Sequence, residues 1–332
     1  MAYLKALSYY LPPTELTNEQ LQKQLPFCEV SKIAKGIGVT VRHIADEDMT
    51  AGDMAACAAK QLFKDYDIKP TDIDFIIFAT QTQDHFLPAT ACLIQNKLGV
   101  PTSAGAFDFD LGCSGYVYGL AIANSFVDSG LAKNILLLTG DTITKLMHKE
   151  DNNRVLFGDA GSASLISSDG FAKIGRFEKG TDGSGGDCLI AKNRAGRHLN
   201  LTGVESTDTE GNIRRDDYFY MNGNIVFDFT IDRVPKLVKS TLDANGLTEE
   251  DISYYVFHQA NKFMLNTIRK CCLIPKEKFY VNLDQTGNTT SSTVPIGLKE
   301  SISKGLIKSG DKVMLAGFGV GLSWAGTVLN FK

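Results

Sequence analysis

A polar turn separates a helical pattern from a strand-like one at two places in the chain. In AGDMAACAAKQLFKDYDIKPTDIDFIIFATQT, from residue 51, apolar residues first recur every three or four positions and then run together as DFIIFA. The first spacing buries one face of a helix, and the second reads as a strand covered on both sides. FTIDRVPKLVKSTLDANGLTEEDISYYVFHQAN, from residue 229, has the same order and carries the strand SYYVFH. Asp72-Ile73-Asp74 of the first stretch is answered by Asp251-Ile252-Ser253 of the second, 179 residues on. Further along, SGLAKNILLLTGD is matched by SGDKVMLAGFG, with Ser-Gly pairs at 129 and 309, an offset of 180. Two segments sharing nearly one offset predict two similar halves, residues 1–179 and 180–332, joined in the Gly- and Ser-rich stretch GTDGSGGD at 180–187. The competing reading is that helix–strand units all look alike. Either way, strand–helix alternation predicts an α/β layered fold.

At 332 residues the chain has room for two ordinary domains or one duplicated unit. A formal net charge of −4, with no stripe of basic residues among aromatics, gives no reason to expect nucleic acid as a partner. MAYLKALSYYLPPTEL has no charged leader before a long apolar core, so no secretory signal is expected. No apolar run approaches the ~20 residues needed to span a bilayer. The seven cysteines (28, 57, 92, 113, 188, 271 and 272) form no C-x-x-C pair, which predicts a reduced, cytoplasmic protein without a disulfide framework. None of the five histidines stands at metal-ligand spacing from another, and no metal is expected.

Candidate chemistry starts in DFDLGCSGYVYGL, residues 108–120. Phe107, Phe109 and Leu111 alternate with Asp108 and Asp110 as in a strand, and from Tyr116 the spacing turns helical. Cys113 therefore sits at a strand-to-helix turn, its sulfur near the first free amides of a helix, where the thiolate is expected to be favoured and the pKa lowered. The plain alternative is a small buried cysteine filling space under the turn. In layered α/β folds, loops at the carboxyl ends of strands gather into one crevice. His258 ends SYYVFH opposite Ala79 of DFIIFA, and Asn288 in DQTGNTTSS precedes the second-half helix that answers the one after Cys113. Symmetry thus predicts that Cys113, His258 and Asn288 meet at the junction of the halves. Taken singly, a strand-end histidine is usually a hydrogen-bonded core residue and an Asn after Gly a turn residue. Cys, His and Asn in that order also occur in papain-like proteases, but the protease signature around the cysteine is missing and a protease does not explain the repeat.

Together, AFDFDLGCSGYVYGLAIANSFVDSG, LFGDAGSASLI, YMNGNIVFDF, VFHQAN, DQTGNTTSSTVPIGL and GFGVGLSW resemble the β-ketoacyl-acyl-carrier-protein synthase III family, over nearly the whole chain from GVTVRHIA onward. The resemblance implies a thiolase-like fold of class α/β, with two pseudo-duplicated halves in a five-layer αβαβα arrangement, paired into a homodimer through the first half. It implies an acyltransferase with no cofactor beyond its acyl-CoA or acyl-carrier-protein substrates. The reaction implied is decarboxylative Claisen condensation of an acyl thioester, carried on Cys113, with malonyl-acyl-carrier protein to give 3-oxoacyl-acyl-carrier protein, initiating fatty-acid or related acyl-chain synthesis. Cys113 is implied as the nucleophile, and His258 with Asn288 as the pair that drives decarboxylation. An imidazole N–H beside an amide N–H offers two donors to an enolate oxygen that a carboxylate would repel. The amides of Cys113 and of Val320 in GFGVG are implied as a second oxyanion hole. Asn224 and Asn261 are implied as substrate contacts, Leu87 as the residue closing the acyl tunnel across the dimer, and Asp159 as structural.

Some positions depart from the family. Lys32 stands where a tryptophan would stack on adenine, Gly36 replaces a phosphate-facing arginine, and Phe263 replaces a second arginine. Trp324 lies in the C-terminal strand and cannot substitute. Arg154 stands three residues later than the expected tunnel arginine. Losing such a stack costs ~1–3 kcal/mol per base. The alternative expectation is therefore a synthase-III-like enzyme of a specialised pathway, using a non-CoA starter or passing acyl groups to an alcohol or amine without decarboxylation. A non-catalytic scaffold would not need the trio. Lys262, Arg269 and Lys270, after HQAN, are expected to dock the acidic carrier protein, the alternative being an ordinary solvated helix face.

Overall fold

The computed structural model describes residues 1–207 and 213–332. The apolar runs become the strands of one nine-stranded sheet: β1 (Tyr3–Tyr10), β2 (Phe75–Ala79), β3 (Gly105–Phe109), β4 (Asn134–Asp141), β5 (Ala160–Ser167), β6 (Ala172–Thr181), β7 (Tyr254–Phe257), β8 (Lys312–Gly319) and β9 (Ser323–Phe331). Six helices flank it: α1 (Ala51–Asp65), α2 (Thr90–Leu98), α3 (Gly115–Ser129), α4 (Gly223–Asn245), α5 (Lys262–Cys271) and α6 (Thr293–Ser303).

Spatially the strands run β7-β8-β9-β6-β1-β5-β4-β2-β3. On one side β3 and β4 pair parallel with β2, and β5 runs antiparallel between β4 and β1. On the other, β7 pairs parallel with β8, and β9 runs antiparallel between β8 and β6. The two sets thus share order and direction. A parallel bridge from Tyr255 to Phe279 stands where a counterpart of β3 would lie. The sets pair with each other at Tyr3–Lys173 and Leu4–Ala172. Residues 179 and 180 fall inside β6, the opening strand of the second set.

Period-two alternation builds the layers. Ile76 and Phe78 of β2 and Leu136 and Leu138 of β4 pack with α1 and α2, whereas Ile77, Ile135 and Leu137 face α3 and α6. In the second set Val256, Val313 and Leu315 face the same two helices, and Tyr255, Phe257, Met314 and Phe318 pack with α4 and α5. The result is the five-layer αβαβα arrangement of the thiolase fold, with α3 and α6 in contact with strands of both sets. Burial of each large apolar side chain contributes ~1.5–3 kcal/mol, so this shared middle layer holds the halves together. Close approach also matters: a Cβ at Gly161 on β5 would stand 2.5 Å from the backbone of Met54, so α1 seats there only over glycine. No helix among the described residues is long and apolar enough to cross a membrane.

Candidate active site

Cys113 leaves β3 through a tight turn, closed by the Gly115 amide donating to Gly112 O at 2.7 Å, and enters α3. His258 follows β7 directly, its own amide donating to Ala316 O of β8 at 2.7 Å. Asn288 lies on the loop before α6 and is fixed by backbone bonds across the halves: its amide donates to Leu156 O at 2.9 Å, and its carbonyl accepts from Gly158 at 3.1 Å. All three side chains line one cavity of about 80 Å³, together with Asn261, Phe318 and Gly319. The sulfur is therefore aimed at a space shared with the imidazole and the carboxamide.

Burial governs the electrostatics. The expectation of a lowered Cys113 pKa is overturned: desolvation pushes the thiol up to about 12, outweighing the Val320 amide aimed at the sulfur, and Asp141 adds to the rise. The amides that reach Sγ belong to Val320 and Cys113 itself. Gly319 lets that loop approach, since a Cβ there would stand 2.8 Å from Sγ. Burial also pushes His258 down to about 3, against the Thr290 carbonyl, which favours the charged ring. The ring is thus neutral, with Nδ1 2.7 Å from Thr293 Oγ1 and Phe318 edge-on at 5.6 Å. If Thr293 donates to Nδ1, Nε2 carries the proton; if Thr293 donates instead to Thr290 O (3.0 Å), Nε2 is a free acceptor. Asn288 Oδ1 accepts from the Thr290 amide at 2.9 Å, and Nδ2 reaches Ala260 O at 3.4 Å, leaving a second N–H for a ligand.

Of the other expected site residues, Asn261 lines the same chamber and the Val320 amide reaches the sulfur, while the rest scatter. Val320 and Leu87 line a larger neighbouring cavity of about 950 Å³, which shares Gln81, Ile143, Leu189 and Phe219 with the Cys113 chamber. Leu87 itself is 82% exposed. Asn261 caps α5, its side chain accepting from Met264 at 2.8 Å. Asn224 is exposed on the first turn of α4. Arg154 does not enter the Cys113 chamber; its guanidinium is engaged by Lys149 O and Gln24 Oε1, both at 2.7 Å. Lys262 packs its stem beside Gly38, Arg269 turns back to Ile274 O at 2.9 Å, and Lys270 is exposed. Lys32 is exposed and paired with Glu29, and Phe263 stacks on Phe227 at 5.5 Å. Trp324 sits between Phe229 and Arg233. Asp159 accepts from Ala45 N at 2.9 Å and Thr144 Oγ1 at 2.6 Å, a structural bridge. Residue-by-residue reading of the sequence missed Asp141, Thr290 and Thr293; the signals were an acid ending the strand in LLLTGD and the run of hydroxyls after Asn288.

Comparison with known proteins adds two family models. Residues 107–183 match 3-oxoacyl-[acyl-carrier-protein (ACP)] synthase III, and residues 242–331 match its C-terminal region. The chain is 37% identical to the beta-ketoacyl-[acyl-carrier-protein] synthase III of Caldanaerobacter subterraneus subsp. tengcongensis, over 97% of this chain and 96% of the relative. It is 35% identical to the protein of the same name from Fusobacterium nucleatum, over 99% of this chain and 98% of the relative. A crystal structure of a 3-oxoacyl-(acyl-carrier-protein) synthase III superposes with a TM-score of 0.95 at 41% identity, covering 99% of both chains.

His258 is expected to stay neutral down to ~pH 5, below the ordinary histidine value near 6.5. Between the unfolded value and about 3 the unfolded chain binds a proton that the folded chain excludes, so stability falls as pH falls through that window. Ring nitrogen NMR shifts, assigned with His258→Gln, check this; a midpoint above ~pH 5.5 would contradict it.

Proposed function

This chain belongs to the 3-oxoacyl-[acyl-carrier-protein (ACP)] synthase III family, and from that membership we propose the part each site residue plays in its reaction. The enzyme is an acyltransferase that condenses an acyl thioester with malonyl-acyl-carrier protein, releasing carbon dioxide and forming 3-oxoacyl-acyl-carrier protein. The alternative, transfer to an alcohol or amine or a starter that never rides on CoA, is not favoured by full-length relatives that bear the condensing enzyme's name.

In the first half-reaction, Cys113 attacks the thioester carbonyl. A thiol held near 12 must give up its proton as it attacks, and the neutral His258 ring offers an acceptor at Nε2. The tetrahedral oxyanion is received by the amides of Val320 and Cys113, and collapse expels the carrier thiol, which takes the proton. In the second, malonyl-carrier protein loses carbon dioxide. The electron pair moves into an enolate whose oxygen accepts from His258 and Asn288. The enolate carbon then attacks the Cys113 thioester, and collapse through the same amide pair expels the cysteine as a thiolate, which takes one proton from water. A neutral imidazole suits both steps as its two tautomers: with the proton on Nδ1 it accepts at Nε2, and with one proton lost from Nδ1 and one gained at Nε2 by exchange with water it donates there, while Thr293 Oγ1 accepts from Nδ1–H in the first form and donates to Nδ1 in the second. The observation that carries this reading is the convergence of Cys113, His258 and Asn288 on one cavity with the Val320 amide already on the sulfur.

Two partner surfaces accompany it. β3 is the free edge of the sheet and carries half-buried Phe107 and Phe109, and Phe86 and Leu87 stand 66% and 82% exposed close by in sequence to α2. An unpaired edge with apolar residues is covered in stable proteins, and a second copy pairing there supports a homodimer. For the carrier protein, Lys262 and Lys270 offer exposed positive charge on α5, with Arg269 turned inward.

Intact-mass analysis after mixing with acyl-CoA should show one acyl adduct that Cys113→Ala abolishes. Asn288→Ala should keep the adduct but lose carbon dioxide release by ~10²–10³-fold, the usual cost of one oxyanion donor; equal loss of both steps would refute the division of roles. Light scattering should give twice the 36.1 kDa chain mass, and a monomeric protein would end the dimer proposal. Reversing charge at Lys262 and Lys270 together should raise the Michaelis constant for malonyl-carrier protein ~10-fold at low salt with kcat unchanged, and an unaltered constant discards that docking face.

A further inference from the structure

Asp141 ends β4 and is 1% exposed, and its partners are neutral donors from both halves. One oxygen accepts from the Gln81 amide of the first half at 2.7 Å. The other accepts the hydroxyls of Thr290 and Ser291 and the Ser291 amide, all from the second half. Desolvation pushes its pKa up to about 6 against those donors. A carboxylate held dry at this cost, outside the lining of the Cys113 chamber, is there for its partners.

The main partner is a strained residue. Thr290 has φ +51°, the left-handed region that a β-branched side chain avoids. Each polar group of Thr290 serves a different contact. Its hydroxyl is held by Asp141, and its amide donates to Asn288 Oδ1 at 2.9 Å, which turns the Asn288 N–H groups toward the cavity. Its carbonyl lies against the His258 ring and accepts from Thr293 Oγ1 at 3.0 Å, the hydroxyl that stands 2.7 Å from His258 Nδ1.

We propose that Asp141 is a positioning residue: from the first half it clamps Thr290 in its left-handed conformation, and Thr290 in turn aims the Asn288 carboxamide of the second half. This rests on the assignment of Asn288 as an enolate donor. Asp141 also raises the Cys113 pKa by its charge, so removing that charge helps the thiol while it frees the Asn288 donor. The two half-reactions therefore respond in opposite directions, which a general loss of structure does not produce.

The test measures Cys113 acylation by intact mass and carbon dioxide release from malonyl-carrier protein on each variant. Asp141→Asn is expected to acylate at least as fast as the parent and to release carbon dioxide ~10–100-fold more slowly, part of the loss of a full oxyanion donor. Glycine adopts φ +51° without help, so Asp141→Asn combined with Thr290→Gly should recover several-fold of that release. Parallel decline of both half-reactions, or a double variant no better than Asp141→Asn, overturns the proposal. Should Asp141→Asn fail to fold, Thr290→Ala against Thr290→Gly asks the same question. Alanine keeps the strain without the clamp and should lose carbon dioxide release selectively, glycine should not, and equal behaviour of the two overturns it. Asn288→Ala separates the layers: unchanged release there removes the donor assignment itself, whereas a collapse there with normal release in Asp141→Asn removes only the role of Asp141.

Discussion

The backbone pairing of Asn288 with Leu156 and Gly158 is the contact on which the site depends. The apolar middle layer of α3 and α6 holds the two strand sets together, but apolar packing alone specifies orientation loosely, because its attraction is non-directional. Hydrogen bonds across the seam set the register. The 288 loop is stitched to 156–158 by its backbone and to β4 by the Asp141 carboxylate, so a cavity-lining loop of one half takes its position from the other. Shape comes from the burial pattern, and ångström-level placement comes from a few buried polar bonds.

Burial has one consistent effect on the chemistry. The thiol, the imidazole and the Asp141 carboxyl are all pushed toward their neutral forms, the first up to about 12, the second down to about 3 and the third up to about 6. A dry chamber of neutral donors suits a reaction that makes an enolate and two oxyanions in turn, since such charges gain most from fixed dipoles where water is excluded. The same dryness leaves the resting thiol weakly nucleophilic. The helix-end argument fails here because desolvation is the larger effect.

The mouth follows different rules from the chamber. Lys32 and Gly36 lie on the exposed helix Val30–Ile37, and Phe263 is 62% exposed on the first turn of α5, stacked on Phe227. These surface positions carry little of the core energy, so a side chain can be changed there without disturbing the trio. Arg154 shows the same freedom: shifted along the chain, it binds Gln24 and Lys149 instead of facing the chamber.

Much of the layout was legible along the chain because periodicity and symmetry are local quantities. The near-constant offset between segments located two equivalent strand sets, and strand ends in equivalent positions placed Cys113, His258 and Asn288 at one junction. Side-chain direction was not legible in the same way. That Arg269 reaches the carbonyl of Ile274 beyond its helix, that Asn261 serves as an N-cap, and that Thr290 adopts φ +51° under an acid 149 residues away are outcomes of the folded geometry. By itself, then, the sequence determined the layered α/β order and pointed to the three side chains that meet at one cavity, since both follow from residue type and spacing. Tertiary structure alone decided their protonation and aim, because desolvation and cross-half hydrogen bonds exist only once the two halves have closed on each other.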